Sequence, residues 1–335
     1  MTDSAPTMRA LRLAAPFDAA ITTVPVPVLG PGDVLIRARR TAISTGTELR
    51  QYRDERVAQN PAGFPRANGY SAVGTIEALG PATSGLARGQ RVFATAPHDE
   101  LVVVPQSAVY PVPEGAADDE AAFAVIGEIG LHALRRGEPS FGENVAIIGQ
   151  GIIGLATLAL ARAWGLRTIA LDLDARRREF ARAVGAELVV DPADPMHEAL
   201  IVAFCGDAGL DLAIEAASSW RAIGLAYRLV RRRGTVVVVA RHTDRPDFNP
   251  IADDLMTKEV RFTTSYAHPV LDAPPDLLRW TRPRDLRLIL ELLGAGRLSF
   301  GALVSHRIAP EELPMIYRRL HEGDTSIAGV VVEWP

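Results

Sequence analysis

Two residue types that carry much enzyme chemistry are almost absent from this chain. Cys205 is the only cysteine among 335 residues, so neither an intrachain disulfide nor a zinc site built from cysteines can form. Its stretch, IVAFCGDAG, predicts a buried packing thiol at the end of a helix. Lys258 is the only lysine, which excludes a GxxxxGK[ST] phosphate loop and argues against reductases built on a Tyr-x-x-x-Lys pair.

Long apolar runs and a clustered basic face are also missing. No segment reaches the roughly 20 apolar residues that a membrane helix needs. The net charge of −4 argues against a nucleic-acid partner. The first residues, MTDSAPTMRALRL, lack a basic segment followed by an apolar core, so we expect no secretory signal and a cytoplasmic location. The length allows two domains of ordinary size.

Short apolar runs separated by proline and glycine occupy residues 1–120. Examples are DVLIRARRTAI, SAVGTIEALG and QRVFATA. Regular turn signals between such runs predict antiparallel strands in a barrel-like domain.

Strands then alternate with helices over residues 121–266. The apolar strands are NVAIIG (144–149), RTIALDL (167–173), AELVVD (186–191), LDLAIEAA (210–217) and GTVVVVA (234–240). Such strands between helices indicate a parallel sheet that is covered on both faces. The tail, 267–335, contains a helical pattern and a last strand, AGVVVEW, and we expect it to pack back onto the first domain.

The stretch GQGIIG places three glycines in the G-x-G-x-x-G spacing, after a strand and at the start of a helix. In this context Gly149 permits a tight turn, Gly151 lets the backbone approach a pyrophosphate, and Gly154 lets helix and strand pack closely. The first N–H groups of the helix, from Ile152 and Ile153, would then hold the phosphates. A tight turn without a ligand is the alternative.

The next strand ends in IALDLDARRR, where an acid is expected to bind the ribose hydroxyls. Asp172 lies at this position, and a carboxylate there repels the 2′-phosphate of NADP. We therefore expect NAD as the cofactor, with NADP as the alternative. Asp174 is a rival for the same role, and Arg176 and Arg177 could hold a 2′-phosphate or simply begin a solvated helix.

The barrel-like domain, the dinucleotide domain and the returning tail together resemble the medium-chain dehydrogenase/reductase superfamily. GYSAVGTIEALG is similar to its GHE-x-x-G-x-V-x-x-x-G segment, and GLHALRRGEPSFGENVAIIGQGIIG to the corresponding region of sorbitol-dehydrogenase-like members. ISTGTE also resembles the bacteriochlorophyllide dehydrogenase branch. The resemblance implies an α/β plus β fold: a GroES-like barrel catalytic domain (1–120, completed by 267–335) and a doubly wound Rossmann domain (121–266).

Many members of this superfamily hold a catalytic zinc ion, and the resemblance implies where its ligands would stand. Thr45 takes the place of the cysteine, Tyr70 of the histidine, Ser71 of a conditional glutamate, and Val125 lies near the third ligand. The lobe with four cysteines found in many relatives is also missing. Hydroxyls and an apolar side chain do not make a zinc site, so we expect neither catalytic nor structural zinc.

The resemblance also implies which residues carry the chemistry. Thr45 and Thr47 lie in the segment that opens the active site; Thr47 matches a residue that bonds the substrate oxygen, and Glu48 matches an acid that supports the loop. Without zinc, the reacting oxygen needs a hydrogen-bond donor and a group that exchanges a proton. Tyr70 is the first candidate, with a packed ring as the alternative. Glu128 is the second, because burial would raise its pKa, with a solvent-facing helix residue as the alternative.

Other positions carry less weight. The resemblance places Ala240, Arg241, Ser265 and Tyr266 at the strand ends that contact the nicotinamide side of the cofactor. His98 could line the substrate cleft, and His268 follows the segment near the nicotinamide. The other histidines away from the expected site are predicted to lie at the surface or in packing: His197, His242, His306 and His321.

We therefore expect a zinc-independent, NAD(H)-dependent oxidoreductase that interconverts a polar secondary alcohol (a sugar, cyclitol or specialised metabolite) and its ketone. A zinc-free quinone or enoyl double-bond reductase is the first alternative, and a cofactor-binding protein without turnover is the second. The resemblance implies a homodimer or homotetramer. The shape of the substrate pocket would depend on the loops 50–66 and 267–283.

Overall fold

A computed structural model of the chain describes residues 6–55, 63–242, 244–251, 254–266 and 279–335. The described residues form two compact units. The first contains those of Met1–Val125, Leu290–Gly296 and Val304–Pro335, and the second those of Ile126–Ile289 and Arg297–Leu303. The C-terminal tail is thus divided between the two units. No helix in the described ranges is long and apolar enough to cross a membrane.

The N-terminal part of the chain is built mainly from strands. Its strands are β1 (Thr7–Ala15), β2 (Asp18–Pro25), β3 (Asp33–Ala42), β4 (Arg66–Ala67), β5 (Ala72–Leu79), β6 (Arg91–Ala94), β7 (Leu101–Pro105) and β8 (Val109–Pro111). Its two short helices in the described residues are α1 (Thr47–Tyr52) and α2 (Asp118–Ala121).

Helices and strands alternate in the middle of the chain. The elements are α3 (Ala124–Gly137), β9 (Asn144–Ile148), α4 (Ile152–Ala163), β10 (Arg167–Leu171), α5 (Ala175–Val184), β11 (Leu188–Val190), α6 (His197–Cys205), β12 (Leu210–Glu215), α7 (Trp220–Leu229), β13 (Val230–Val238), α8 (Asp254–Thr257) and β14 (Arg261–Thr264). The tail adds α9 (Arg282–Gly294), β15 (Val304–Ile308), α10 (Leu313–His321) and β16 (Gly329–Glu333).

Two sheets make up the first unit in the described part of the chain. The smaller has the order β2-β1-β4, and the larger has the order β15-β16-β3-β5-β6-β8, with β7 also paired to β3. The N-terminal strands pair antiparallel, and β16 pairs antiparallel with β3, so the end of the chain completes the sheet that the N-terminal residues begin. This sheet carries the loop after β3 and the segment before β5, which contain the predicted catalytic hydroxyls.

The second unit contains a parallel sheet with the order β11-β10-β9-β12-β13-β14 among the described residues. All residues of β9 are buried, because helices cover both faces of the sheet. The strand order reverses between β9 and β12, and ligands of such sheets bind outside the carboxyl ends of the strands at this point. The doubly wound fold and the strand-rich N-terminal unit confirm the predicted fold class.

Several elements differ in length from the sequence pattern. The predicted strand 234–240 is β13, which runs from Val230 to Val238 directly after α7. The helical pattern DDEAAFAVIGEIGLHALRRG, residues 118–137, forms two helices, α2 and α3. The sole cysteine, Cys205, is buried at the end of α6, as predicted.

The side chain of Lys258, the sole lysine, caps the C-terminal end of α7. Its Nζ donates hydrogen bonds to the carbonyl oxygens of Tyr227 (3.1 Å) and Arg228 (2.7 Å) and lies 3.2 Å from Asp254 Oδ1. Lys258 thereby satisfies two carbonyls that the helix leaves without an internal partner.

Candidate active site

The turn after β9 has the geometry that a dinucleotide needs. Gly149 has a φ of +97°, and a Cβ there would lie 2.7 Å from the main-chain nitrogen of Ala217, so only glycine fits. A Cβ at Gly154 would lie 1.9 Å from the carbonyl oxygen of Gly149, which explains the close approach of α4 to the turn. A Cβ at Gly151 would meet nothing within 4 Å, so its missing side chain leaves open space beside the turn.

The start of α4 presents main-chain donors to that open space. Gly151 is the N-cap residue and makes no side-chain capping bond, and Ile152 and Ile153 begin the helix. Two buried polar atoms, Gln150 Oε1 and Ser265 Oγ, have no hydrogen-bond partner among the described residues. Unpartnered buried polar atoms are rare in folded proteins. Free helix N–H groups, open space and unsatisfied polar atoms therefore fit a bound dinucleotide.

The acid at the end of β10 is tied to the same turn. Asp172 is buried; its Oδ2 accepts a hydrogen bond from the main-chain nitrogen of Gln150 at 2.7 Å, and its Oδ1 accepts one from Asp174 N at 2.9 Å. Asp174 caps α5 by accepting from Arg177 N at 3.1 Å. The guanidinium of Arg177 lies 4.0 Å from Asp172 Oδ2, and Arg176 is exposed. A carboxylate offers about four acceptor positions, so Asp172 can also receive ribose hydroxyls.

The other predicted cofactor residues lie at or just after the carboxyl ends of β13 and β14. Ala240 N donates to the carbonyl oxygen of Glu215 at 3.3 Å, and Arg241 follows it with an exposed side chain. Ser265 N donates to Val238 O at 2.8 Å, and Ser265 is buried. All ten predicted cofactor residues thus lie at, or shortly after, the carboxyl ends of strands of the parallel sheet.

The hydroxyl segment of the first unit forms the loop between β3 and α1. Ser44 and Glu48 are buried, whereas Thr45 and Thr47 are partly exposed. The hydroxyl of Tyr70, also partly exposed, donates a hydrogen bond to Ser44 Oγ. Three partly exposed hydroxyl-bearing residues, Thr45, Thr47 and Tyr70, thus lie in this loop, at the start of α1 and in the segment before β5.

The buried polar contacts of this loop are centred on Glu48. Its Oε1 accepts a hydrogen bond from Ser44 N at 2.7 Å, and its Oε2 accepts one from the hydroxyl of Tyr317 and lies 2.9 Å from His98 Nε2. Burial raises the pKa of Tyr317, and the negative charge of Glu48 adds to this, so the phenol keeps the proton that it donates. These contacts hold the loop between β3 and α1 in place from its buried side.

The sequence interpretation of His98 was wrong. Its side chain is 0% exposed, so it cannot line a cleft. Its ring instead fills space beside Gly69, where a Cβ would lie 2.5 Å from His98 Cδ2. Tyr317 was missed altogether, because only the fold brings the tail of the chain to this loop.

Glu128 lies on α3 in the second unit. It is 1% exposed, so the solvent-facing alternative is wrong. Burial raises its pKa from 4.5 to about 8; Arg282, whose Nε lies 3.8 Å from Oε2, opposes the shift, and Asp285 adds to it. An acid with a pKa near neutral can both release and accept a proton under ordinary conditions.

Some predicted positions lie outside the described residues. These are residues 56–62 of the first pocket loop and 267–278 of the second, with His268. Within the described ranges, no three His, Cys, Asp or Glu side chains come together as metal ligands would.

Two family profiles match the chain and together cover more than half of it. "Alcohol dehydrogenase GroES-like domain" matches residues 30–114, and "Zinc-binding dehydrogenase" matches residues 153–281. The chain belongs to the medium-chain dehydrogenase/reductase superfamily. The enzyme class expected from the sequence, a dehydrogenase/reductase that uses a nicotinamide cofactor, is thereby confirmed.

Individual relatives of this dehydrogenase share about a quarter of its residues. Sorbitol dehydrogenase of Bacillus subtilis is 28% identical over 253 residues, which cover 65% of this chain and 71% of the relative. L-Idonate 5-dehydrogenase of Vitis vinifera is 25% identical over 319 residues, covering 84% and 82%. A Sinorhizobium meliloti protein described as a zinc-binding dehydrogenase and crystallised with NADP has the same fold, with a TM-score of 0.82 and 23% identity over 98% of this chain and 99% of that one.

Proposed function

We propose that this chain is a zinc-independent, NAD(H)-dependent oxidoreductase that interconverts a polar secondary alcohol and its ketone. The substrate class that we propose is a sugar, a cyclitol or a specialised metabolite. Relatives named as sorbitol and L-idonate dehydrogenases support a polyol-like substrate. The observation that carries the proposal is that Tyr70 is partly exposed and its hydroxyl is hydrogen-bonded to Ser44 Oγ, at the position that the resemblance assigns to a zinc ligand.

The donor set argues for chemistry without zinc. The resemblance assigns Thr45, Tyr70 and Val125 to positions of zinc ligands, and none of these side chains is one that zinc prefers. Val125 is also fully buried. A catalytic zinc ion, where one is bound, polarises the carbonyl. Here a hydroxyl must supply that polarisation by donating a hydrogen bond to the substrate oxygen.

Tyr70 suits this role because the hydrogen bond between its hydroxyl and that of Ser44 can reverse its direction. The hydroxyl of Tyr70 now donates to Ser44 Oγ. Hydroxyl hydrogens rotate freely, so Ser44 can donate to Tyr70 instead and release the phenol proton toward a substrate oxygen. The hydroxyl of Thr47, at the start of α1, is a second donor in the same segment.

The cofactor would be held by the second unit. When bound, it supplies the chemistry of hydride transfer. Ile152 and Ile153 would hold the pyrophosphate with main-chain N–H groups, and Asp172 would receive the ribose hydroxyls. Glu128 is a buried titratable group of this unit whose pKa suits proton exchange, and we propose it as the acid–base residue.

The proposal is tested by treating the purified protein with a chelator and following NADH formation from NAD with a panel of polyols and other polar secondary alcohols. NADP is run in parallel, and zinc is added back as a control. Turnover that survives chelation, prefers NAD and falls at least about tenfold in Tyr70→Phe supports it. Activity that disappears with the chelator and returns with zinc would overturn the metal-free mechanism. NADH binding without alcohol turnover would favour the double-bond reductase or the inactive binding protein.

A further inference from the structure

The carboxylate of Glu48 is the centre of a buried hydrogen-bond chain that reaches Trp334, after β16. Trp334 Nε1 lies 3.2 Å from Thr41 Oγ1, and Thr41 Oγ1 lies 2.7 Å from His98 Nδ1. His98 Nε2 then lies 2.9 Å from Glu48 Oε2. Thr41, His98, Glu48 and Trp334 are all buried, so the chain is shielded from water along its length.

The carboxylate of Glu48 determines which nitrogen of His98 donates to it. An ionised carboxylate can only accept, so His98 Nε2 carries a ring proton and donates it to Glu48 Oε2. An indole nitrogen can only donate, so Trp334 donates to Thr41 Oγ1. The Thr41 hydroxyl has one proton and a second lone pair, so it can either donate to His98 Nδ1 or accept from it. Each of these buried polar atoms has a partner, which is what a buried polar network requires.

Tyr317 holds the same carboxylate from another side. Its hydroxyl donates to Glu48 Oε2 and accepts from Asn68 Nδ2 at 3.2 Å. The same Asn68 nitrogen lies 3.3 Å from the carbonyl oxygen of Glu48. The carboxylate thus accepts from His98, Tyr317 and the main chain of Ser44, and these three directions together prevent its rotation.

We propose that His98 and Tyr317 are positioning residues for Tyr70. They orient Glu48, Glu48 fixes the main chain of Ser44, and Ser44 Oγ receives the hydroxyl of Tyr70. A second connection runs through Gly69, which precedes Tyr70, has a φ of +98° and packs against the His98 ring. The role given to Tyr70 rests on the proposed function, whereas the hydrogen-bond chain does not.

A matched pair of substitutions separates the two bonds of His98. In His98→Gln the amide nitrogen can reach the place of Nε2 and still donate to Glu48. In His98→Asn the shorter amide can reach only the place of Nδ1, so it keeps Thr41 and loses Glu48. Tyr317→Phe removes one hydroxyl and leaves the ring packed, so it tests the same carboxylate if the His98 variants fold poorly.

We expect kcat for alcohol oxidation to fall roughly 10- to 100-fold in His98→Asn and Tyr317→Phe, because small displacements of a reacting group have effects of this size. KM for NAD should stay within about twofold, since the proposed cofactor contacts belong to the second unit. His98→Gln should recover most of kcat. Wild-type kcat in folded His98→Asn and Tyr317→Phe would overturn the proposal, and so would equal losses in His98→Asn and His98→Gln.

Nuclear magnetic resonance separates this proposal from the proposed function. The ¹⁵N spectrum of the wild-type protein near neutral pH should show His98 protonated at Nε2. The ¹³Cζ signal of Tyr70, assigned with Tyr70→Phe, should move in His98→Asn and return in His98→Gln. If the protein turns over no alcohol but both signals behave in this way, the proposed function fails and the positioning network stands. An unprotonated Nε2, or a Tyr70 signal that does not change in His98→Asn, would overturn the network.

Discussion

The carboxylate of Asp172 accepts a hydrogen bond at 2.7 Å from the main-chain nitrogen of Gln150, a residue of the glycine turn. The acid that would select the cofactor is therefore attached to the loop that would hold its phosphates. Because both Asp172 oxygens already accept main-chain hydrogen bonds, the direction of the carboxylate is fixed before any ligand binds. A pre-oriented anion favours ribose hydroxyls and repels a 2′-phosphate.

Asp172→Asn should shift cofactor preference toward NADP. Asparagine keeps an oxygen for Gln150 N and removes the negative charge, so kcat/KM with NAD should fall about tenfold or more relative to NADP. Steady-state kinetics with both cofactors measure the ratio. Asp174→Asn is the matched control, because asparagine also caps helices and the preference should change less than about threefold. An unchanged ratio in Asp172→Asn would argue that another residue selects the cofactor.

Two glycines of the same turn should respond differently to alanine. Gly149→Ala forces a side chain into a φ of +97° and against Ala217, so the free energy of unfolding should fall by about 1–3 kcal/mol. Gly151→Ala meets nothing within 4 Å, so its stability should match that of the wild type. Its methyl group would nevertheless obstruct the pyrophosphate, and the Kd for NADH should rise about tenfold or more. Thermal melts and NADH fluorescence titrations measure the two quantities; an unaltered NADH Kd in Gly151→Ala would place the phosphates elsewhere.

Glu128 should make stability depend on pH. Burial raises its pKa from 4.5 to about 8, so between these values the folded chain holds a proton that the unfolded chain has lost. Its stabilising contribution is therefore fully present below pH 4.5 and is lost as pH rises through about 8. Relative to Glu128→Gln, the wild type should lose on the order of a few kcal/mol across this window. Urea unfolding at several pH values checks this, with Glu179→Gln, at an exposed helix position, as the control. Parallel curves for wild type and Glu128→Gln would contradict the assigned burial.

The same group should set the pH profile of activity. In alcohol oxidation the deprotonated carboxylate accepts a proton, so kcat/KM should rise with pH to a plateau above about 8. In Glu128→Gln this rise of kcat/KM with pH should be absent, and kcat/KM should fall by about 10²- to 10⁴-fold. Asp285→Asn removes a charge that raises the pKa of Glu128, so its midpoint should move to lower pH. Retention of the rise in Glu128→Gln would assign proton transfer to another residue.

Local patterns predicted much of the second unit. The G-x-G-x-x-G spacing spans six residues between a strand and a helix, and Asp172 follows on the next strand, so short-range geometry fixes their relation. The apolar strands were equally readable, because a sheet covered on both faces leaves few polar positions. The bounds of the strands were predicted less accurately: β13 begins at Val230, four residues before the predicted start.

Long-range contacts could not be predicted. Glu48 is separated by 50 residues from His98 and by 269 from Tyr317. No periodicity relates such positions, since their contact depends on how the sheets of the first unit close around the loop. The sequence placed His98 in a turn before a strand, where it could line the substrate cleft, whereas the fold packs the ring against Gly69 and buries it completely.

Lys258 offers a single side chain for labelling with amine-reactive reagents. It is the only side-chain amine in the sequence, and its Nζ is bonded to two carbonyl oxygens at the end of α7. An amine-reactive dye can attach to that nitrogen only after both bonds have opened. The rate of labelling at this site would therefore report how often the Lys258 side chain leaves the end of α7, and a dye placed there would mark one defined point on the second unit.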